Sequence, residues 1–261
     1  MTGRQLARVT LHPYRESLLS QLYPGFQHSS NCLIPAVLAF EQLLSLPERF
    51  RAKVTWRLDG GFGGDANVDW LLARGYHLVA NGCSNRRSAK LLQQVKRWQK
   101  VNPTKYVGRV STPETFCRPL ETFSIRYQTN TDWKHTYLFS DLHLSGPRTV
   151  HFYDQRGGAE TEFRSDKSGG LYLHKRRKHK RDAQEVWLLL TDMAHNYLAW
   201  LARTILRDSP LADFGFLRIT RDLFAIPGLI EMEQGQLLSV KLLRSSPYAE
   251  DLLACLQRFW D

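Results

Sequence analysis

Cysteine is scarce and unpatterned: Cys32, Cys83, Cys117 and Cys255 are the four in 261 residues, and no C-x-x-C pair occurs. That spacing argues against a zinc site or a disulfide framework and reads as reduced thiols in a cytosolic protein. Long apolar runs are lacking too. The first twenty residues hold Arg4, Arg8 and Arg15 without an apolar stretch, which excludes a secretory signal. Val186 to Leu206, the most apolar segment, includes Asp192, His195, Asn196 and Arg203, and so reads as a buried helix rather than a membrane span. No repeat, nucleophile triad or H-E-x-x-H metal motif is present. Negative charge is in deficit: 36 Lys and Arg face 25 Asp and Glu, a net +11. A chain this basic faces a polyanion more often than not, nucleic acid above all, with plain solubility charge as the alternative. The length and the 43% hydrophobic content suit one globular domain with a sizeable core and room for an insertion.

Residues 5–11 and 17–23 read as strands, the second closed by Pro24-Gly25, and Leu33 to Leu46 has helical periodicity that stops before Pro47. Lys53 to Leu58 is a short strand delivering Asp59 into the turn GGFGG. Asp65 to Arg74 follows as a helix with Asp65 as its cap, and His77 to Ala80 as a strand. Strand, turn, helix and strand make a βαβ unit, so a parallel or mixed sheet is expected. Arg86 to Trp98 reads as an amphipathic helix with Leu91, Leu92, Val95 and Trp98 inward. Alternation at Phe123, Ile125 and Tyr127, a turn at residues 130–132 and a run from Trp133 to Phe139 mark 104–150 as a β-rich insertion between two halves of an α/β core, 1–103 and 151–261. Helical periodicity resumes near residue 153 and runs to about 207, broken at Ser168-Gly169-Gly170. A hairpin around Gln234-Gly235 and a last helix from near Pro247 complete the chain.

The most informative segment is HFYDQRGGAETEFRSDK, residues 151–167. At about 100° per residue, Tyr153, Arg156, Glu160 and Lys167 fall within roughly 60° of one helix face. A phenol, a guanidinium, a carboxylate and an ammonium on one face suit phosphate chemistry, the acid ligating a divalent metal while Arg and Lys hold phosphate oxygens. For a generic helix, a solvated face with i,i+4 ion pairs is the plainer account, and Gly157-Gly158 weakens the first turn.

The spacing Y-x2-R-x3-E-x6-K resembles the Tyr-Arg-Glu-Lys signature of bacterial insertion-sequence transposases of the DDE type. The surrounding texture agrees, with A-Q-E and L-L-x-D-x-A-H-N after the charge run. The likeness spans most of the chain, from about Gly3 to Leu253. It implies a ribonuclease-H-like core and metal-dependent DNA cleavage and strand transfer in the movement of an insertion sequence. Glu160 would be the last catalytic carboxylate and Asp59 the second, both binding Mg2+ or Mn2+, while Tyr153, Arg156 and Lys167 would hold the DNA backbone. A carboxylate at the carboxyl end of a strand, before glycines that allow close backbone approach, is compatible with that role. GGFGG lacks the Gly-Lys-Ser/Thr of a nucleotide-binding loop.

Two-metal chemistry needs a third acid, which the resemblance places on a first strand. Residues 1–58 contain no aspartate, and their only acids are Glu16, Glu41 and Glu48. The first strand is therefore expected to be missing, as in a truncated frame or a start assigned too late, leaving the strand before Asp59 without a neighbour. The run His174 to Arg181, with Lys175, Arg176, Arg177 and Lys178 at its heart, reads as a DNA-backbone contact, a solvated loop being the alternative. Arg86, Arg87, Lys90 and Arg97 extend that track. Trp98 and Trp133 are base-stacking candidates that at these spacings more often belong to a core. His195-Asn196 reads as a satisfied core pair. The expected partners are DNA and a second or full-length transposase copy, with no membrane, in the cytoplasm at the nucleoid. The competing readings are a non-catalytic DNA-binding or interfering fragment and a relic without function.

Overall fold

The computed structural model describes residues 4–12, 14–130, 132–155, 166–167, 171 and 180–260. They divide into two compact units, the first from residues 1–7 and 21–157, the second from 8–20 and 158–261. Strands β1 (Arg4–Leu11) and β2 (Glu16–Pro24) form a two-stranded sheet of their own.

The rest of the first unit runs α1 (Leu33–Leu43), β3 (Thr55–Leu58), α2 (Asp65–Ala73), β4 (His77–Asn81), α3 (Asn85–Gln93), β5 (Gln99–Asn102), β6 (Lys105–Val110), β7 (Glu121–Gln128), β8 (Trp133–Ser140) and α4 (Gly146–Asp154). Six of its strands make one mixed sheet, ordered β3-β4-β8-β7-β6-β5. β3 and β4 are parallel and every other pairing is antiparallel. The βαβ unit expected from the sequence is thus present, and β3 stands at the sheet's edge.

Period-two alternation decides which helices cover which face. Leu78 and Ala80 of β4, with Tyr137 and Phe139 of β8, join Val37, Val68, Leu71, Leu72 and Leu91 of the first three helices. Val79 and Leu138, the residues between, turn the other way to meet Val107, Phe123, Ile125, Val150 and Tyr153. Leu78, Val79 and Ala80 are all fully buried, as befits a strand covered on both faces.

The second unit contains α5 (Arg181–Thr204), a helical turn Phe216–Arg218 extended by a π-turn Ile219–Leu223, the antiparallel pair β9 (Gly228–Glu233) and β10 (Gln236–Leu242), and α6 (Ala249–Trp260). Gln234 and Gly235 join β9 to β10 with φ of 50° and 80°, the two positive values that a type I′ turn requires. Leu198, Leu201, Leu206, Leu211, Phe216, Ile219 and Cys255 form its core.

An ion cluster is buried beside that core. The Arg8 guanidinium donates to Asp166 and, at 2.6 Å, to Asp192, while His195 Nδ1 lies 2.8 Å from Asp166 Oδ1 and its Nε2 2.7 Å from the Arg15 carbonyl. The Asn196 side chain brackets Ser17, accepting from its amide at 2.7 Å and donating to its carbonyl at 2.8 Å. His195-Asn196 is therefore a satisfied interior pair, as expected. Among the described residues, no helix is long and apolar enough to cross a membrane.

Residues 104–150, expected as a β-rich insertion, do supply β6, β7 and β8, and the pairing of β8 with β4 places them in the same sheet as β3. Several sequence expectations differ from the structure. The helix expected over 86–98 stops at Gln93, and β5 starts at Gln99. Gly64, not Asp65, caps α2; Asp65 sits in the first turn, where its carboxylate favours the helix dipole. Helicity near residue 153 begins at Gly146, with Pro147 in the first turn, and α4 closes at Asp154, ahead of Gly157-Gly158. Finally, α5 is buried along one face only.

Candidate functional site

Asp59 leaves the carboxyl end of β3 and is exposed. Its Oδ1 accepts the Gly60 amide at 2.7 Å, and its carbonyl accepts the Phe62 and Gly63 amides at 2.8 and 3.1 Å. The turn is pinned from outside by Asn67, whose Nδ2 donates to the Ser30 and Phe62 carbonyls, both at 3.0 Å, and by Ser29, whose hydroxyl donates to the Gly61 carbonyl at 3.1 Å. Gly63 is compulsory, since a Cβ there would fall 1.8 Å from the Asn81 carbonyl oxygen. Gly63→Ala should therefore cost the upper end of the ~1–3 kcal/mol typical of overpacking. Gly64→Ala, with nothing within 4 Å of its Cβ, should cost less, about 0.5–1 kcal/mol for an alanine at the N-cap of α2, in the same urea titration.

A polar cleft of about 450 Å³ opens beside this turn, lined by His28, Gly60, Asn81, Asn85, His135 and Thr136 among others. It lies past the carboxyl ends of the parallel strands β3 and β4, where α/β sheets bind ligands. Asn81 is oriented by the Thr136 hydroxyl, which donates to its Oδ1 at 2.5 Å. The cleft's histidines and asparagines carried no sequence motif, because β8 reaches the site only through its pairing with β4.

Arg57, two residues before Asp59, donates to the Phe152 carbonyl at 3.1 Å and stacks over the Phe152 ring, tying β3 to the last turn of α4. The helix that leads into the 151–167 segment is thereby held against the strand that bears Asp59. Tyr153 itself is 9% exposed and sits in the core with Val79 and Val150, so it anchors α4 rather than presenting a surface phenol. Lys167 is exposed, next to the buried Asp166. Arg156, Glu160, Lys175, Arg176, Arg177 and Lys178 lie outside the described residues.

The basic track on α3 needs one correction. Arg87 grips Asp65 with two hydrogen bonds of 2.6 and 2.8 Å and reaches Glu114 at 2.9 Å, so it is a structural clamp. Arg86, Lys90 and Arg97 are exposed. Arg126 stands 4.6, 4.9 and 5.4 Å from the rings of Trp98, Tyr106 and Trp133, which spends much of those aromatic faces on the protein's own cation.

The three acids of residues 1–58 are all engaged in ion pairs. Glu41 takes Arg74 at 2.5 Å, Arg51 at 3.0 Å and the Tyr76 hydroxyl at 2.6 Å, and the Arg74 hydrogen bond foremost holds its carboxyl down at about 2. Glu48 pairs with Arg51 and Glu16 with Arg203, each at 2.9 Å. Among the described residues no three His, Cys, Asp or Glu side chains come together as a metal cage. Asp59 fits a hard divalent cation as one ligand: an exposed carboxylate whose Oδ1 is fixed by a backbone amide.

No individual curated protein matches the chain. The family described as transposase DDE domain, group 1, matches residues 13–260, nearly the whole sequence and both compact units. A mixed α/β sheet with an acid at the end of its parallel edge strand accords with that match, and the chain belongs to the DDE transposase family.

Proposed function

We propose that this chain acts on DNA as an insertion-sequence transposase, with Asp59 and Glu160 as the carboxylates that hold Mg2+ or Mn2+. The observation that carries the reading is the placement of Asp59 at the carboxyl end of β3, in a glycine turn bordering a polar cleft. When bound, such a cation activates an attacking oxygen and stabilises the leaving one during phosphodiester cleavage and strand transfer. Arg156 and Lys167 hold the DNA backbone by charge-assisted hydrogen bonds, and Tyr153 fixes the helix end from which that segment departs. The core is ribonuclease-H-like, with β3 at the edge of its sheet among the described residues.

Two acids are fewer than the two-metal reaction uses. With no aspartate in residues 1–58 and Glu16, Glu41 and Glu48 in ion pairs, this polypeptide alone binds DNA but cleaves it weakly or not at all. Mn2+ titration monitored by electron paramagnetic resonance, run beside a nicking assay on element-end DNA, tests both halves. The expected result is ion binding weakened at least tenfold in Asp59→Asn and in Glu160→Gln, with little nicking by wild type. Ion binding indifferent to both substitutions would sink the site assignment. Robust Mg2+-dependent nicking that disappears in Glu160→Ala would confirm the site and overturn the inactivity.

A further inference from the structure

Helix α5 is amphipathic in the unusual sense. Its buried face carries Thr191, Asp192 and His195 beside Leu188, Leu198 and Ala199, while its outer face is apolar. Val186, Leu189, Leu190, Met193 and Tyr197 are each more than half exposed, Met193 at 68%. At 100° per residue these five span about 100° of the helix, opposite the buried side chains, with Trp200 in the same sector and one exposed charge, Asp182, one turn before Val186 at the sector's N-terminal end.

The stripe continues onto neighbouring elements of the same unit. Tyr197 meets the half-exposed Phe224 at 6.2 Å and Trp200 at 5.9 Å, and Trp200 meets Phe259 at 5.8 Å, next to Trp260. At roughly 100 Å² for each half-exposed side chain, the stripe and its aromatic extension offer on the order of 800 Å², what one partner buries in a stable protein–protein interface. That also exceeds the largest apolar patch usual on a monomer, about 300–600 Å².

We propose that this face is a self-association surface, on which α5 of one copy packs antiparallel against α5 of a second copy about a two-fold axis near Met193. A second copy is the occupant that fits best. From Val186 to Trp200 the sector is apolar throughout, its one charge being Asp182 at the N-terminal end, so its complement is another apolar stripe of equal length, and a two-fold axis supplies one. Val186, Leu189, Met193 and Trp200 follow the three- and four-residue spacing of helix pairs that interlock at shallow crossing angles. The proposal does not depend on the metal chemistry of Asp59 and stands or falls by itself.

Sedimentation equilibrium of the full chain is the direct test, with a dimer expected at micromolar concentration. Met193→Asp and Leu190→Asp, both at exposed positions, should each raise the dissociation constant at least a hundredfold while leaving the circular dichroism spectrum and the thermal transition in place. Met193→Cys should form a disulfide-linked dimer under mild oxidation that wild type does not form, although Cys83 and Cys117 are exposed in both. A monomeric wild type, or a dimer that both aspartate variants preserve, overturns the proposal. So does a Met193→Cys protein that cross-links no more than wild type.

Discussion

Arg8→Ala is expected to destabilise the second unit by about 3–5 kcal/mol, because it strips the counter-charge from two carboxylates in the interior. The side chains of Arg8 and Asp166 are 1% and 0% exposed, and Asp192 is the second acid on the same guanidinium. Removing one partner of such a cluster leaves the other charged without solvent, which costs far more than the pair gains by existing. The change should lower the midpoint of thermal unfolding by roughly 10 °C. Arg203→Ala, which breaks the more exposed pair with Glu16, should cost under about 1 kcal/mol. Calorimetric shifts of equal size in the two variants would show that the buried cluster is not special.

The same cluster sets a pH window. Among the described residues, the carboxylates of Asp166 and Asp192 face Arg8, and Asp166 also faces His195. Burial pushes its pKa down, but the hydrogen bond and charge of Asp166, with the Arg15 carbonyl, outweigh burial and raise it. Asp166 shows the mirror image: burial pushes up, yet His195 and then Arg8 hold it below the ordinary carboxylate range. A raised histidine stabilises fully below its unfolded value of 6.5, and that contribution disappears as pH rises through the folded pKa. A lowered aspartate stabilises above 3.8, and its contribution disappears as pH falls through the folded value. Thermal stability should therefore peak between these two values, and His195→Gln should flatten the alkaline limb and, because His195 is the first cause that holds Asp166 down, weaken the acid limb to what Arg8 alone sustains.

The sequence revealed local features more readily than those created by distant pairing. The GGFGG turn after a short β-branched strand was readable because an acid, glycines and a helix start fall within ten residues. Gln234-Gly235 was readable because a type I′ turn demands positive φ twice. The ladder between β4 and β8 was not, since about sixty residues separate the partners and an antiparallel β-rich stretch looks alike whether it joins the core sheet or stands apart. That one pairing brings His135 and Thr136 to the cleft beside Gly60 and Gly61. The end of α3 was missed for a related reason: Val95 and Trp98 keep helical spacing, yet Val95 packs over Gly108 and Trp98 over Arg126, contacts that β6 and β7 supply. Periodicity also placed α5 correctly while misjudging its burial, since an apolar stripe has the same signature whether the chain's own core or a second copy covers it.

The basic run is where the largest effect on DNA should appear. Replacing Lys175, Arg176, Arg177 and Lys178 together with alanine removes four cations from a chain of net +11. If each neutralises one phosphate, the slope of log affinity against log salt should shrink by between about three and four. Between 50 and 200 mM salt, wild type would then lose on the order of a hundredfold more affinity than the variant. A slope that survives the replacement would mean that the run is a solvated segment and that binding lies elsewhere. The exposed trio Arg86, Lys90 and Arg97 serves as the comparison, with an expected slope change of about three if all reach phosphate. Arg87 belongs in neither set. Its guanidinium is committed to Asp65 and Glu114, so Arg87→Ala should lower stability while leaving the salt slope where it was. A slope that fell in that variant as well would mean that charge anywhere on the surface suffices, and the DNA track would lose its claim to a defined path.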